Sequence, residues 1–342
     1  MRFVAGALLA GVLAAVSAPA VAHHPAPAEL SMQRDEPGCG VAPESGTLMP
    51  ADARQRIGGS QVAVGQKDIL WAWLADPTPR YPHPSLGDRQ HAGTVHVVLR
   101  RADGRLAQRS LRLPVHRVFE DRQPRLVDLD GDGRDELVLV ESDALRGAAL
   151  VVLGLRPARP VVPGGRPGPR ELVELARGPF IGTAFRWLNP LGSADLDGDG
   201  TAELLAVHTP HVGGQLNVYR FQPPQLVPLS ATREASNHRL GSSEQQLGVV
   251  WTDAATPSGT SPGTLPGNPP GAQAAVSVLV PDPARRSLQW LRWEAEGRDG
   301  RWVEMNHNLS LPAPAERLTP IPGGACLQLA NGSWWRIIRT PR

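Results

Sequence analysis

Residues 126–140 read LVDLDGDGRDELVLV, and residues 193–207 read SADLDGDGTAELLAV. Each stretch sets an acidic, glycine-punctuated loop between two short apolar runs. Counted from the first aspartate, carboxylates stand at positions 1, 3 and 5: Asp128, Asp130 and Asp132 in one copy, Asp195, Asp197 and Asp199 in the other. The backbone carbonyls of Arg134 and Thr201 fall at position 7, and Glu136 and Glu203 at position 9. Glycines between the aspartates permit the tight turn that brings these oxygens to one point. A set of hard oxygens suits calcium, and without sulfur or imidazole it suits zinc and copper poorly. Two calcium ions are therefore expected, one per loop, in a structural rather than a catalytic role.

A helical calcium loop is the rival reading of the same consensus. It requires a bidentate glutamate at position 12, where this chain has Leu139 and Ala206. The segments that follow, ELVLV and ELLAV, are also strand-like rather than helical.

Further similarity lies downstream of each loop. LVVLGL (150–155), LNVYRF (216–221) and LQWLRW (288–293) share one apolar pattern, and ELVEL (171–175), QLVPL (225–229) and RWVEM (301–305) share a second. All are short, rich in branched and aromatic residues, and bounded by turn formers, so they read as strands. In the third copy Asp253 is read at the place of the first aspartate, and a Pro/Gly/Ser-rich insertion over 254–273 replaces the acidic loop. A fainter copy comes first, in DILWAWL (68–74), TVHVVLR (94–100) and RLAQRSLRL (105–113). ACLQLANGSWWRIIR (325–339) closes the chain as a hairpin turning at Asn331-Gly332. A unit of three or four strands cannot bury both faces of its sheet, but units packed radially bury each other. The expected fold is all-β: a β-propeller over 51–342 of about five blades, within a range of five to seven, with a pair of β-sandwiches as the alternative.

Composition agrees with many strands joined by turns. The 342 residues include 36 glycines and 35 prolines, too many for a helical bundle and too few for a disordered chain. A formal net charge of +2 gives no reason to expect nucleic acid or an anionic membrane as partner. Lys67 is the only lysine. Residues 1–22 combine Arg2, an apolar run and Ala20-Val21-Ala22, the pattern of a cleaved secretory leader. No other stretch is long and apolar enough to span a membrane. The mature chain is thus expected in the periplasm or outside the cell, as a monomer, with 23–50 as a flexible segment. In an exported protein the two cysteines, Cys39 and Cys326, are expected to pair.

The D-x-D-G-D-G-x-x-[DE]-L loops with their apolar strands resemble FG-GAP/VCBS repeats, found in integrin-α-type propellers and many secreted bacterial proteins. SNHRLGS (236–242) adds to the likeness, and the match spans about 119–310. The resemblance implies a calcium-binding propeller and, for most members, binding of a partner rather than catalysis. The chain departs from the pattern in carrying Glu at position 9 where Asp is usual, and in keeping only two intact loops.

Chemistry of other kinds is sparse. No HExxH or phosphate-cradling glycine loop occurs. His208 and His211, three apart after a loop-bearing strand, are candidates for a rim metal pair or for plain polar loop residues. Trp71, Trp73, Trp290, Trp293 and Trp302 fall in strand patterns and are expected in the core. Trp187, Trp251, Trp334 and Trp335 lie nearer strand ends, where a stacking platform for a sugar ring is conceivable. Two function classes remain: a non-catalytic module binding a protein or glycan, and a propeller-type polysaccharide lyase or hydrolase.

Overall fold

The computed structural model describes residues 29–40, 50–101, 103–158, 168–229, 233–252, 275–297, 299–305 and 308–340. The leader read at 1–22 and the insertion at 254–273 lie outside the described residues. The described residues are all-β apart from short 3-10 turns at Pro37–Gly40 and Ala51–Gln55.

Strand pairing among the described residues resolves into five antiparallel four-stranded ladders. Ladder 1 is Ala63–Val64, Ile69–Thr78, His91–Arg100 and Leu106–Arg112. Ladder 2 is Arg125–Val127, Glu136–Asp143, Gly147–Pro157 and Arg170–Arg177. Ladder 3 is Leu188–Ala194, Glu203–His208, Gln215–Gln222 and Gln225–Pro228. Ladder 4 is Val249–Thr252, Val276–Pro281, Ser287–Glu296 and Asp299–Glu304. Ladder 5 is Ala315–Ile321, Gly324–Leu329, Trp334–Thr340 and, from the other end of the chain, Glu29–Asp35.

The ladders are not five separate sheets. Arg117–Phe119 bonds to both ladder 1 and ladder 2, and a single parallel bridge, Arg177 to Gln225, joins ladder 2 to ladder 3. Ladders 1–3 thereby form one fourteen-stranded sheet, curled as a half-barrel. A closed ring of separate blades, as the repeat led one to expect, is therefore not what the hydrogen bonding displays. The expectation for 23–50 also needs correction: Glu29–Asp35 runs antiparallel to Trp334–Thr340 in unbroken register. That edge offered unpaired backbone groups, and the N-terminal strand satisfies them.

Both faces of the middle ladders are buried, and the period-2 alternation of a strand sorts their side chains. Leu137 and Leu139 join a core with ladder 1, whereas Val138 and Val140 join the next core with ladder 3. Leu204 and Ala206 face ladder 2, and Leu205 and Val207 face ladder 4. Val278 and Val280 face back to ladder 3, and Leu279 faces ladder 5. Truncating one of these leucines to alanine costs about 2–5 kcal/mol.

Cys39 and Cys326 are joined, with Cα atoms 5.8 Å apart, and both are buried beside Ile321 and Trp334. This disulfide fits an exported protein, and no described helix is long and apolar enough to cross a membrane. The Asn331-Gly332 turn is present, with Gly332 at φ +80°. Of the tryptophans read as core, all but Trp71 are buried. Trp187 and Trp251, read as platform candidates, are buried as well, whereas Trp334 and Trp335 are half-buried.

Candidate metal centre

The two acidic loops connect the first and second strands of ladders 2 and 3, and they lie against each other. Ala202 N–H donates to the Leu129 carbonyl at 2.8 Å, and a Cβ on Gly131 would stand 3.2 Å from the Gly200 oxygen. Several of their internal hydrogen bonds correspond in pairs. Leu129 N–H donates to Glu136 Oε2 and Leu196 N–H to Glu203 Oε2, both at 3.0 Å. Gly133 N–H donates to Asp128 Oδ2 at 3.0 Å and Gly200 N–H to Asp195 Oδ2 at 2.9 Å. Arg134 N–H donates to Asp132 Oδ1 at 2.9 Å and Thr201 N–H to Asp199 Oδ1 at 2.8 Å. Gly131, Gly133, Gly198 and Gly200 all take positive φ, which a side chain would strain.

Each loop gathers carboxylate oxygens within 4.8 Å of one another: Asp128, Asp130 and Glu136 in the first, Asp195, Asp197 and Asp199 in the second. Such groups can hold a metal ion, and oxygen-only donors favour a hard one. Of the ten residues read from the sequence as ligands, the exposed Asp132 stays outside the first group and Glu203 outside the second. The chain matches no protein-family model and no curated protein.

The fit of a cation is best judged at Glu136. Its side chain is fully buried, Oε2 is satisfied by Leu129, and Oε1 has no hydrogen-bond partner. A buried carboxylate oxygen without a partner is costly, and a cation between it and Asp128 and Asp130 would satisfy it. Burial, reinforced by Asp130 and Asp132, pushes the Glu136 carboxyl up to about 8 although the Leu129 amide opposes it. Burial likewise pushes Glu203 up to about 7, against the Leu196 amide and Arg220.

Sequence reading missed three partners of these loops. Lys67 pairs with Asp128. Asp68 accepts the Asp135 amide at 2.9 Å and binds Arg170 at 2.7 Å, pinning the loop from ladder 1. Arg220 reaches both Glu203, at 3.1 Å, and Asp197, at 2.8 Å. Only Arg220 left a trace in the repeat, because it replaces Gly154 in the aligned strands LVVLGL and LNVYRF.

The third copy lacks its aspartate for a reason visible in the register. Trp251 pairs with Ser277 as Val127 pairs with Glu136 and Ala194 with Glu203. The place of the first aspartate therefore belongs to Thr252, one residue before Asp253.

The two rim histidines do not converge on a metal. His208 Nε2 meets the Tyr219 hydroxyl, while His211 Nε2 lies 2.7 Å from His238 Nδ1. His238 Nε2 in turn lies 2.9 Å from the Ser242 carbonyl, so it carries the proton, and His211 donates to His238. Burial holds His208 and His211 at about 4 and His238 at about 3, all neutral at pH 7.

A second polar cluster occupies the loops that follow the second strand of ladder 1 and precede ladder 2. Glu120, fully buried, accepts from His83 Nδ1 at 2.7 Å and Ser85 Oγ at 2.6 Å through Oε1, and from Ser142 Oγ at 2.5 Å through Oε2. Phe185, 46% exposed, stacks on Tyr81 and leans on His83. Gly241 N–H donates to the Ser85 carbonyl at 2.9 Å, which brings exposed Leu240 to the same loop cluster.

Proposed function

We propose that the chain is a calcium-stabilised β-propeller that serves outside the cytoplasm as a non-catalytic module binding a protein or glycan. The observation that carries the calcium part is the buried, unpartnered Glu136 Oε1 facing Asp128 and Asp130. Calcium, with six to eight oxygen ligands at flexible geometry, suits a loop of carboxylates and carbonyls better than magnesium does. The Arg134 and Thr201 carbonyls would complete the two ligand sets. The propeller part is supported by cores shared between successive ladders and by a last ladder built from both chain ends. The FG-GAP/VCBS-like loops agree with both parts. For the binding role, support comes from two large exposed apolar side chains gathered on one loop cluster, Phe185 stacked on Tyr81 and Leu240 next to Gly241, which bonds Ser85.

The enzyme reading has one observation in its favour: His83 is oriented by a buried carboxylate beside an exposed aromatic ring. Arrays of glycans and envelope proteins, probed with calcium-loaded protein, test the first reading, with Phe185→Ala expected to weaken capture. Turnover of a polysaccharide that disappears in His83→Ala would replace the binding module by a lyase or hydrolase.

A further inference from the structure

The two acidic loops share their positive-φ glycines and most of their internal hydrogen bonds, and they differ in what stands across from the position-9 glutamate. In ladder 3 the register Leu204 to Tyr219 continues to Glu203 and Arg220. The Arg220 guanidinium sits between two carboxylates, Nε to Glu203 Oε1 at 3.1 Å and Nη2 to Asp197 Oδ2 at 2.8 Å. Its side chain is 10% exposed, and those of Asp197 and Glu203 are 6% and 0% exposed. In ladder 2 the register Leu137 to Leu153 continues to Glu136 and Gly154. Gly154 carries no side chain, and the space beside it is taken by Leu175, whose Cδ1 would lie 2.5 Å from a Cβ there. Arg156, two residues on, lies within electrostatic range of Glu136 but donates to the Leu155 carbonyl at 3.3 Å.

This difference accounts for the place of the glutamate in the two donor groups. Glu136 keeps Oε1 unpartnered and converges with Asp128 and Asp130, whereas Glu203 turns Oε1 to Arg220 and drops out of its group. A guanidinium bridging two carboxylates stands where a divalent ion would place its charge. Lys67 on Asp128 is no equivalent, because its side chain is 37% exposed and a single flexible ammonium is readily displaced. In ladder 4 an arginine, Arg292, again stands at the aligned position, but it faces Ser277 across the strand and bonds Glu294 of its own strand at 3.1 Å.

We propose that Arg220 is a built-in counter-ion of the second acidic loop, so that the two loops bind calcium unequally, tightly at 128–136 and weakly at 195–203. The inference rests on the calcium reading above, and one calorimetric series separates their failures. Metal-stripped full-length protein is titrated with calcium. Wild type should give one tight phase of one ion per chain, with a second phase at least about tenfold weaker or absent. A tenfold difference corresponds to only about 1.4 kcal/mol, well within what a buried charge pair contributes. Asp130→Ala should remove the tight phase, and Asp197→Ala should leave it. Arg220→Gln should strengthen or create the second phase by about tenfold. Arg220→Lys, which keeps the charge but loses the fork, should fall between the two and guards against a folding artefact. Two equal phases in wild type, loss of the tight phase in Asp197→Ala, or no change in the second phase on replacing Arg220 overturns the inference alone. No calcium heat in any variant overturns the calcium reading and the inference with it.

Discussion

Cys39 and Cys326 are 287 positions apart, so their bond closes most of the chain into one loop. In the chain-entropy account such a link removes about 19 cal/mol/K from the unfolded ensemble, or about 5–6 kcal/mol at 25 °C, with about 2–4 kcal/mol typical of measured disulfides. The folded state should barely notice its removal. Arg336 still donates to Asp35 Oδ2 and to the Cys39 carbonyl, both at 2.7 Å, and Glu29–Asp35 keeps its strand register. Unfolding entropy of about 2.1 cal/mol/K per residue gives about 0.6 kcal/mol/K for a loop of this length. The double variant Cys39→Ala/Cys326→Ala should therefore melt about 3–10 °C below wild type by scanning calorimetry, with an unchanged near-ultraviolet spectrum before melting. Reduced wild type should match the variant. A drop under about 2 °C, or free thiols in the non-reduced protein by mass spectrometry, would refute the reasoning.

Chelation of calcium-loaded protein should lower its melting temperature, since a ligand at a hundredfold excess over Kd stabilises the fold by about 2.7 kcal/mol per site; Asp130→Ala plus Asp197→Ala should abolish the response. Burial holds His208, at about 4, below its ordinary 6.5, so the unfolded chain binds more protons between those values. Its contribution, about 3 kcal/mol, is present above pH 6.5 and lost as pH falls toward 4, so denaturant midpoints should drop over that window and drop less in His208→Gln. Lys67, the only lysine, should react faster with an amine-directed acylating reagent when calcium draws Asp128 away from it, and peptide mapping at two calcium levels reads this directly.

The strands were legible because strand patterns are local. LVVLGL, LNVYRF and LQWLRW each became the third strand of a ladder, and the fainter DILWAWL and TVHVVLR became paired neighbours in ladder 1. The disulfide was legible too, since two cysteines leave one intramolecular pairing. The rim histidines were ambiguous because residues three apart on a turn can face different partners. Tyr219 and His238 drew His208 and His211 apart, and neither partner is near in sequence.

By itself the sequence determined most of the strands, the clustering of carboxylates in the two loops and the cysteine pair, for each follows from residue type and short-range spacing. The tertiary structure alone decided that Glu29–Asp35 completes the last ladder, that three ladders share one sheet, and that two near-identical loops differ in their charge balance. The physical reason is the same each time. Alternation along a strand says which face a side chain takes, but cross-strand register says what it meets there. Glu136 meets a glycine, and Glu203 meets an arginine.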